Sequence, residues 1–285
     1  MLDFLEGISR IAVDTAEASG GDRPATEEAR VGRVDGQKAV VTGSGGAMGH
    51  AIAVRLAEEG ADVVLNDRLA DRAGSAEEEI RAVGRDVVTV VGNVTRRAEA
   101  RQVVGAAVDR WGRVDILVNV VGGIKGAMYN PVWSISEEEW EFALGINLRG
   151  TFHCTQAAVE DMMPRKHGKI VNIASVAWAG EAAHAHYASA KAGVVSFTRS
   201  AAWQLGPYDI NVNAIAPGAT QRSADLGVEE IDAADTRFSI RQVGPLGRAN
   251  RPIDIANAAL FLVSEESRNI SGQVLNVAAG SNPAI

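Results

Sequence analysis

The sequence predicts an α/β protein whose parallel sheet is covered by helices on both faces. Three observations carry this. Short apolar runs alternate with helical patterns from Gln37 onward. The runs are rich in Val and Ile at consecutive rather than alternate positions, as strands buried on two faces are. The first run empties into a glycine cluster that opens a helix.

The elements follow in order. "KAVVTG" reads as a strand and Met48–Glu59 as a helix; "DVVLND" precedes a helix over Ala70–Val83. "DVVTVVGN" leads to Arg96–Trp111, and "VDILVNV" to a longer helical region, Ser136–Met163. "GKIVNIAS" is followed by His186–Leu205, and "DINVNAIAPG" by a helix around Ile253–Val263 and a last strand, "GQVLNV". Ahead of these, residues 1–33 form an extension. Leu2, Leu5, Ile8, Ile11 and Ala12 sit at amphipathic helical spacing, and "SGGDRPATEEARVG" is a polar linker. The catalytic domain is expected over 34–285. Within it, about 220–244 is charged and weakly periodic, and is expected to form a substrate lid.

Composition narrows the function. A net charge of -8 argues against a nucleic-acid partner, which needs a basic excess. No apolar run approaches a membrane span of about 20 residues. One cysteine, Cys154, excludes an internal disulfide framework and points to a reducing cytoplasm; its apolar helical context makes it a core residue. No His/Cys/Asp cluster has metal-ligand spacing, so no metal is expected.

Glycines 43, 45, 46 and 49 lie between a strand and a helix, where small residues let the backbone approach a pyrophosphate at the helix N-terminus. Asp67, at the end of the second strand, is the acid such a site uses for the adenosine ribose hydroxyls, and it repels a 2′-phosphate. NAD is therefore favoured over NADP, although Arg68 beside it could hold that phosphate. Further on, Tyr187 and Lys191 stand one helical turn apart in a chain with only 3 Tyr and 5 Lys. A tyrosine phenol titrates near ~10 in water, and a neighbouring ammonium favours its phenolate.

"TGSGGAMGHA", "LVNVVGG", "INLRGTF", "VNIAS", "YASAKAG" and "VNAIAPG", in this order, resemble the short-chain dehydrogenase/reductase family from about Gln37 to Gly280. The resemblance implies a single-domain, doubly wound Rossmann-type fold with a seven-stranded parallel sheet. It implies an NAD(P)-dependent oxidoreductase acting on CH–OH groups, in a homotetramer or homodimer. It also implies a tetrad of Asn147, Ser175, Tyr187 and Lys191. Tyr187 would be the general acid/base, Ser175 would hold the substrate oxygen, Lys191 would grip the nicotinamide ribose and Asn147 would hold a relay water. Carried over with them as cofactor contacts are Gly43, Gly46, Met48, Gly49, Asp67, Arg68, Asn93, Val94, Asn119, Gly122, Pro217, Gly218 and Thr220, beside Tyr187 and Lys191.

Four positions depart from the family pattern. Ala47 replaces the middle glycine of the turn, Val120 replaces a second Asn, and Arg222 replaces a Thr. Ser175 and Tyr187 are 12 apart, one fewer than is common. Met128, Trp133, Trp178, His184 and His186 could line the substrate pocket and suggest a cyclic or apolar secondary alcohol or ketone. The alternatives are an NADPH-linked reductase of 3-oxoacyl-type ketones and a non-catalytic sensor of the nicotinamide redox state.

Overall fold

Seven parallel strands, β1 (Lys38–Thr42), β2 (Asp62–Asp67), β3 (Val87–Val91), β4 (Ile116–Asn119), β5 (Gly168–Ile173), β6 (Ile210–Pro217) and β7 (Val274–Val277), form one sheet in the order β3-β2-β1-β4-β5-β6-β7. The computed structural model describes residues 31–72, 74–127, 129–220 and 245–281. Most of the predicted extension and lid, with Met128 and Arg222, lie outside them. Those described fall in one compact unit, Val31–Ile285.

The interior strand β1 shows why the runs are apolar throughout. Val40 pairs with Val64 on one side and Leu117 on the other, and all three are fully buried. Helices α1 (Ala47–Glu58) and α7 (Pro252–Val263) bury Ile52, Leu56, Ile255 and Leu260 against one face. Helices α3 (Arg97–Trp111), α5 (Gly150–Arg165) and α6 (Ala185–Leu205) cover the other with Val103, Met162 and Leu205. Cys154 belongs to this second core, and burial pushes its thiol up to about 12. Helix α2 (Gly74–Ala82) adds Ala76 and Ile80 to the first core.

The predicted single helical region at Ser136–Met163 is two helices. Helix α4 (Glu137–Leu144) starts at a capping box, with Ser136 accepting from the Glu139 N–H and Glu139 accepting from Ser136. It runs into a π-helical turn, Gly145–Arg149, before α5 begins. Such turns interrupt the regular ladder and often mark functional positions. Asn147 sits inside this one.

From β1 the chain moves outward through β2 to β3, then crosses back to β4 on the other side of β1 and moves outward again to β7, so the order reverses between β1 and β4. Ligands of open α/β sheets bind at that switch point, beyond the strands' C-terminal ends.

Candidate active site

The phosphate turn occupies the switch point. Gly43 leaves β1 at φ 66, and a Cβ there would lie 3.1 Å from the Val121 nitrogen. At Gly49 a Cβ would fall 2.2 Å from the Gly43 carbonyl oxygen, so the helix closes onto the turn only without a side chain. The requirement at the middle of the turn differs from the sequence expectation. Gly45 admits no Cβ, which would meet Arg72 Cβ at 2.4 Å and Asp67 Oδ2 at 2.7 Å, whereas at Gly46 the nearest neighbour is 3.6 Å away. Gly46 is the N-cap of α1 and Ala47 its first residue, so the Ala47 methyl stands on a helical turn. No side chain caps α1 and no acid occupies its first turn, which leaves its N–H groups and positive dipole end to an anion. Met48, half-buried in this turn, packs on the first core.

The other predicted cofactor positions separate into three groups. Asp67 lies beside the turn, with Oδ1 accepting from the Leu69 N–H at 3.1 Å; Arg68 is exposed and makes no hydrogen bond or ion pair among the described residues. Asn93, Val94 and Asn119 are engaged in structure. Asn93 Oδ1 accepts from the Thr95 N–H and hydroxyl at 3.1 and 2.8 Å. Val94 is 2% exposed in the second core. Asn119 is buried and donates to Asn172 Oδ1 at 2.9 Å and Thr155 Oγ1 at 3.3 Å, joining strand to helix beneath the site. At the far end, Pro217 closes β6, and a Cβ on Gly218 would lie 2.9 Å from Ala278 Cβ. Thr220 donates to the Gly218 carbonyl at 3.0 Å.

The four predicted catalytic side chains come from three places: Asn147 from the π-helical turn, Ser175 from just past β5, and Tyr187 and Lys191 from the first turns of α6. A Cβ on Gly122 would stand 2.7 Å from Asn147 Oδ1 and 3.1 Å from Lys191 Nζ, so both side chains close on the same bare stretch of backbone. Asn147 is fully buried; its amide donates to the Gly123 and Ala143 carbonyls at 2.8 and 2.9 Å and accepts from the Gly123 N–H at 3.1 Å. Lys191, 2% exposed, donates to the Ile173 carbonyl at 2.7 Å, and its Nζ stands 5.8 Å from the Tyr187 ring centroid. Burial alone pushes the Lys191 ammonium down to about 7. The phenol ring of Tyr187 is half-buried. Ser175, two residues past Ile173, accepts from the Ala177 N–H at 3.2 Å, which leaves its hydroxyl hydrogen to donate.

Four predicted pocket residues have the following surroundings. His186 is fully buried between α6 and the β4–α4 loop, with Nε2 3.4 Å from the Lys125 carbonyl. Trp178 faces the Arg199 guanidinium, whose carbon lies 5.9 Å from the ring centroid. His184 ties Glu181 to the Ala127 carbonyl at 3.2 and 3.1 Å, and Trp133 is 83% exposed. Sequence reasoning missed Gly123, whose two backbone bonds hold Asn147, and Asn250. The Asn250 amide donates to the Val277 carbonyl at 2.6 Å and its N–H to the Ala219 carbonyl at 2.8 Å, fixing the Gly218–Thr220 turn. The glycine pair "GG" was a visible signal for the first; nothing in the sequence marked the second.

A family model described as enoyl-(acyl carrier protein) reductase matches residues 43–282. The chain is 40% identical to the (2S)-[(R)-hydroxy(phenyl)methyl]succinyl-CoA dehydrogenase subunit BbsD of Thauera aromatica, covering 87% of this chain and 97% of that one. The chain belongs to the short-chain dehydrogenase/reductase family. Another relative in this family, the 3-oxoacyl-[acyl-carrier-protein] reductase FabG of Thermotoga maritima, is 34% identical over 87% of this chain and 98% of its own. Among solved structures, 7α-hydroxysteroid dehydrogenase complexed with NADH and 7-oxo glycochenodeoxycholic acid superposes with TM-score 0.80 at 33% identity, covering 88% of this chain and 96% of that one. As a short-chain dehydrogenase/reductase, the protein is an NAD(P)-dependent oxidoreductase of CH–OH and ketone groups. No helix among its described residues is long and apolar enough to cross a membrane.

Proposed function

We propose that this chain is an NAD-dependent dehydrogenase of a bulky, apolar secondary alcohol, with Tyr187 as its general acid/base. The observation that carries the reading is the closing of Asn147 and Lys191 on the bare backbone at Gly122, with the Tyr187 ring beside the Lys191 ammonium. The phosphate turn fits the dinucleotide: it is bare where a Cβ would fill it, and its helix end is uncapped. Gly43, Gly45 and Gly49 would cradle the pyrophosphate, Asp67 would accept from the adenosine ribose, and Lys191 would donate to the nicotinamide ribose. When bound, NAD supplies the acceptor for the hydride leaving the carbinol carbon.

The chain's own part is proton handling. Ser175 donates its free hydroxyl hydrogen to the substrate oxygen. The Tyr187 phenolate takes the alcohol proton as the carbonyl forms, and returns it in reduction. Lys191, with its affinity for a proton pushed to about 7, can pass that proton on near neutral pH. The Asn147 amide donates both hydrogens to the Gly123 and Ala143 carbonyls and accepts from the Gly123 N–H, so its task is to fix the Gly122–Gly123 backbone, with one Oδ1 lone pair and the main chain left for a relay water.

Substrate size rests on two supports. The β4–α4 loop carries exposed apolar side chains at Ile124, Tyr129, Val132 and Trp133. Two of the relatives are named for a phenyl-bearing and a steroid alcohol. A shallow apolar groove lined by Leu144, Leu148, Phe152 and Phe197 favours pairing of subunits, and size-exclusion chromatography should report a dimer or tetramer. Arg68, exposed and without a partner among the described residues, supports a second reading, an NADPH-linked ketone reductase.

The test follows nicotinamide absorbance with NAD and NADP over a panel of cyclic, aromatic and aliphatic secondary alcohols, with Tyr187→Phe in parallel. Turnover with NAD, lost in the variant, supports the reading. Turnover that survives in Tyr187→Phe overturns it. NADH binding without any turnover would favour a redox sensor.

A further inference from the structure

We infer that Asn66 is a positioning residue for the adenosine half of the cofactor, a role that rests on the dinucleotide reading above. Asn66 is 1% exposed and occupies the last buried position of β2, immediately before Asp67. Its side chain and main chain connect three turns that otherwise have few links. The amide Nδ2 donates to the carbonyls of Val90 and Gly92, at 3.0 and 3.1 Å, across the end of β3. Its own carbonyl accepts from the Ser44 N–H at 2.9 Å and the Ser44 hydroxyl at 3.2 Å, inside the phosphate turn. Beyond these bonds, the Gly92 N–H donates to the Asp67 carbonyl at 3.0 Å, and Asn93 begins the next turn.

Asn66 therefore holds three features at fixed separation: the phosphate turn at Ser44–Gly45, the carboxylate of Asp67, and the Gly92–Asn93 turn. Main-chain bonds carry the ladder one step past its last pairs, Thr42 with Asn66 and Asp67 with Val91, and the two Nδ2 bonds to the Val90 and Gly92 carbonyls are the links that depend on the residue at 66. The choice of residue type supports the role. Asn66 Oδ1 is buried without a hydrogen-bond partner among the described residues. A buried unpaired acceptor is unfavourable, so what keeps an amide at this position is its donor side. An apolar side chain would remove the orphan oxygen, yet leave the Val90 and Gly92 carbonyls without this donor.

The experiment measures binding, so it needs no substrate. NADH and ADP-ribose are titrated against wild type, Asn66→Ala and Asn66→Ser, with melting temperatures alongside. ADP-ribose carries the adenosine and pyrophosphate but no nicotinamide. Both variants should bind NADH about tenfold more weakly, and ADP-ribose more weakly by the same factor. If either variant folds poorly, Ser44→Ala, which removes only the hydroxyl bond to Asn66, should give the same pattern at roughly two- to threefold. A lowered melting temperature with unchanged NADH and ADP-ribose affinity would make Asn66 merely structural and overturn the inference. So would a loss seen with NADH but not with ADP-ribose. A wild-type protein that binds neither ligand defeats the dinucleotide reading itself, which is a separate result.

Discussion

The two edges of the sheet treat buried charge in opposite ways. Where the strands begin, buried charges are matched. Asp62 accepts from Lys38 at 2.6 Å and sits 3.0 Å from Arg85; burial pushes its carboxyl up, but these cations and the Asp86 N–H together hold it below the usual carboxylate range. Asp115, 1% exposed, takes Arg165 at 2.9 Å and Arg113 at 3.0 Å, and Lys169 donates to Asn211 at 2.8 Å with Glu265 at 3.8 Å. Where the strands end, Lys191 is as deeply buried as Lys169 yet, among the described residues, meets no carboxylate: its ammonium has the Ile173 carbonyl and the Tyr187 ring. Matched charge locks a fold; unmatched charge leaves an ionisable group whose proton can move. The difference separates scaffold from chemistry without reference to any relative.

The largest expected effect falls on turnover. Removing the phenol in Tyr187→Phe should lower kcat by about 10²–10⁴-fold, the range for losing a general acid/base. NADH affinity and melting temperature should stay near wild type, since the ring remains. At the opposite edge the pattern reverses. Asp115→Ala removes the acceptor of two arginines and of the Lys38 N–H, and should cost about 3 kcal/mol in denaturant unfolding. Its KM for NAD should not change. If Asp115→Ala altered cofactor affinity while sparing stability, the division between edges would fail.

Lys191 offers an intermediate effect with a definite sign. Its folded-state affinity for a proton is depressed to about 7 from an ordinary 10.5. Between those values the unfolded chain holds more of the proton, so the stability of the cofactor-free protein should rise with pH, by at most about 1.4 kcal/mol per pH unit. Lys191→Met should remove that slope and, near pH 7 and below, unfold at a higher temperature than wild type while losing turnover. Melting curves from about pH 6 to about pH 10 test it; a slope unchanged in Lys191→Met would mean that another group titrates.

The order of the elements was legible because each strand is apolar on both faces and each crossover has a helical period. Tyr187 and Lys191 were legible because one helical turn separates them at the start of α6, and Asp67 because it closes a strand that follows the glycine turn. The break at Gly145–Arg149 was not, since π turns have no periodicity signal separate from that of the helices they interrupt. Nor were Asn66 and Asn250. Their bonds reach carbonyls 24 and 27 residues away, and a buried amide in a strand or loop looks in sequence like any polar interruption. Gly45 was seen but given less weight than Gly46, because the clash that requires it comes from Arg72 and Asp67, on another part of the chain.

The smallest expected effect is the sharpest comparison, because it uses two carboxylates on one strand. Asp62 opens β2 and is clamped by two cations, whereas Asp67 closes β2 and accepts from a backbone N–H at 3.1 Å. Asp62→Ala should destabilise and leave cofactor choice alone. Asp67→Ala should barely move the melting temperature, because little in the fold depends on that carboxylate. It should weaken NAD binding about tenfold, the order of one lost charge-assisted hydrogen-bond pair, and narrow the gap to NADP as the repulsion of a 2′-phosphate disappears. Arg68, exposed beside it, would then be free to pair with that phosphate. Titrating NADH and NADPH against both variants decides the point. If Asp67→Ala keeps the wild-type ratio, Asp67 does not select the cofactor, and Arg68, without a partner among the described residues, makes the NADPH reading the stronger one.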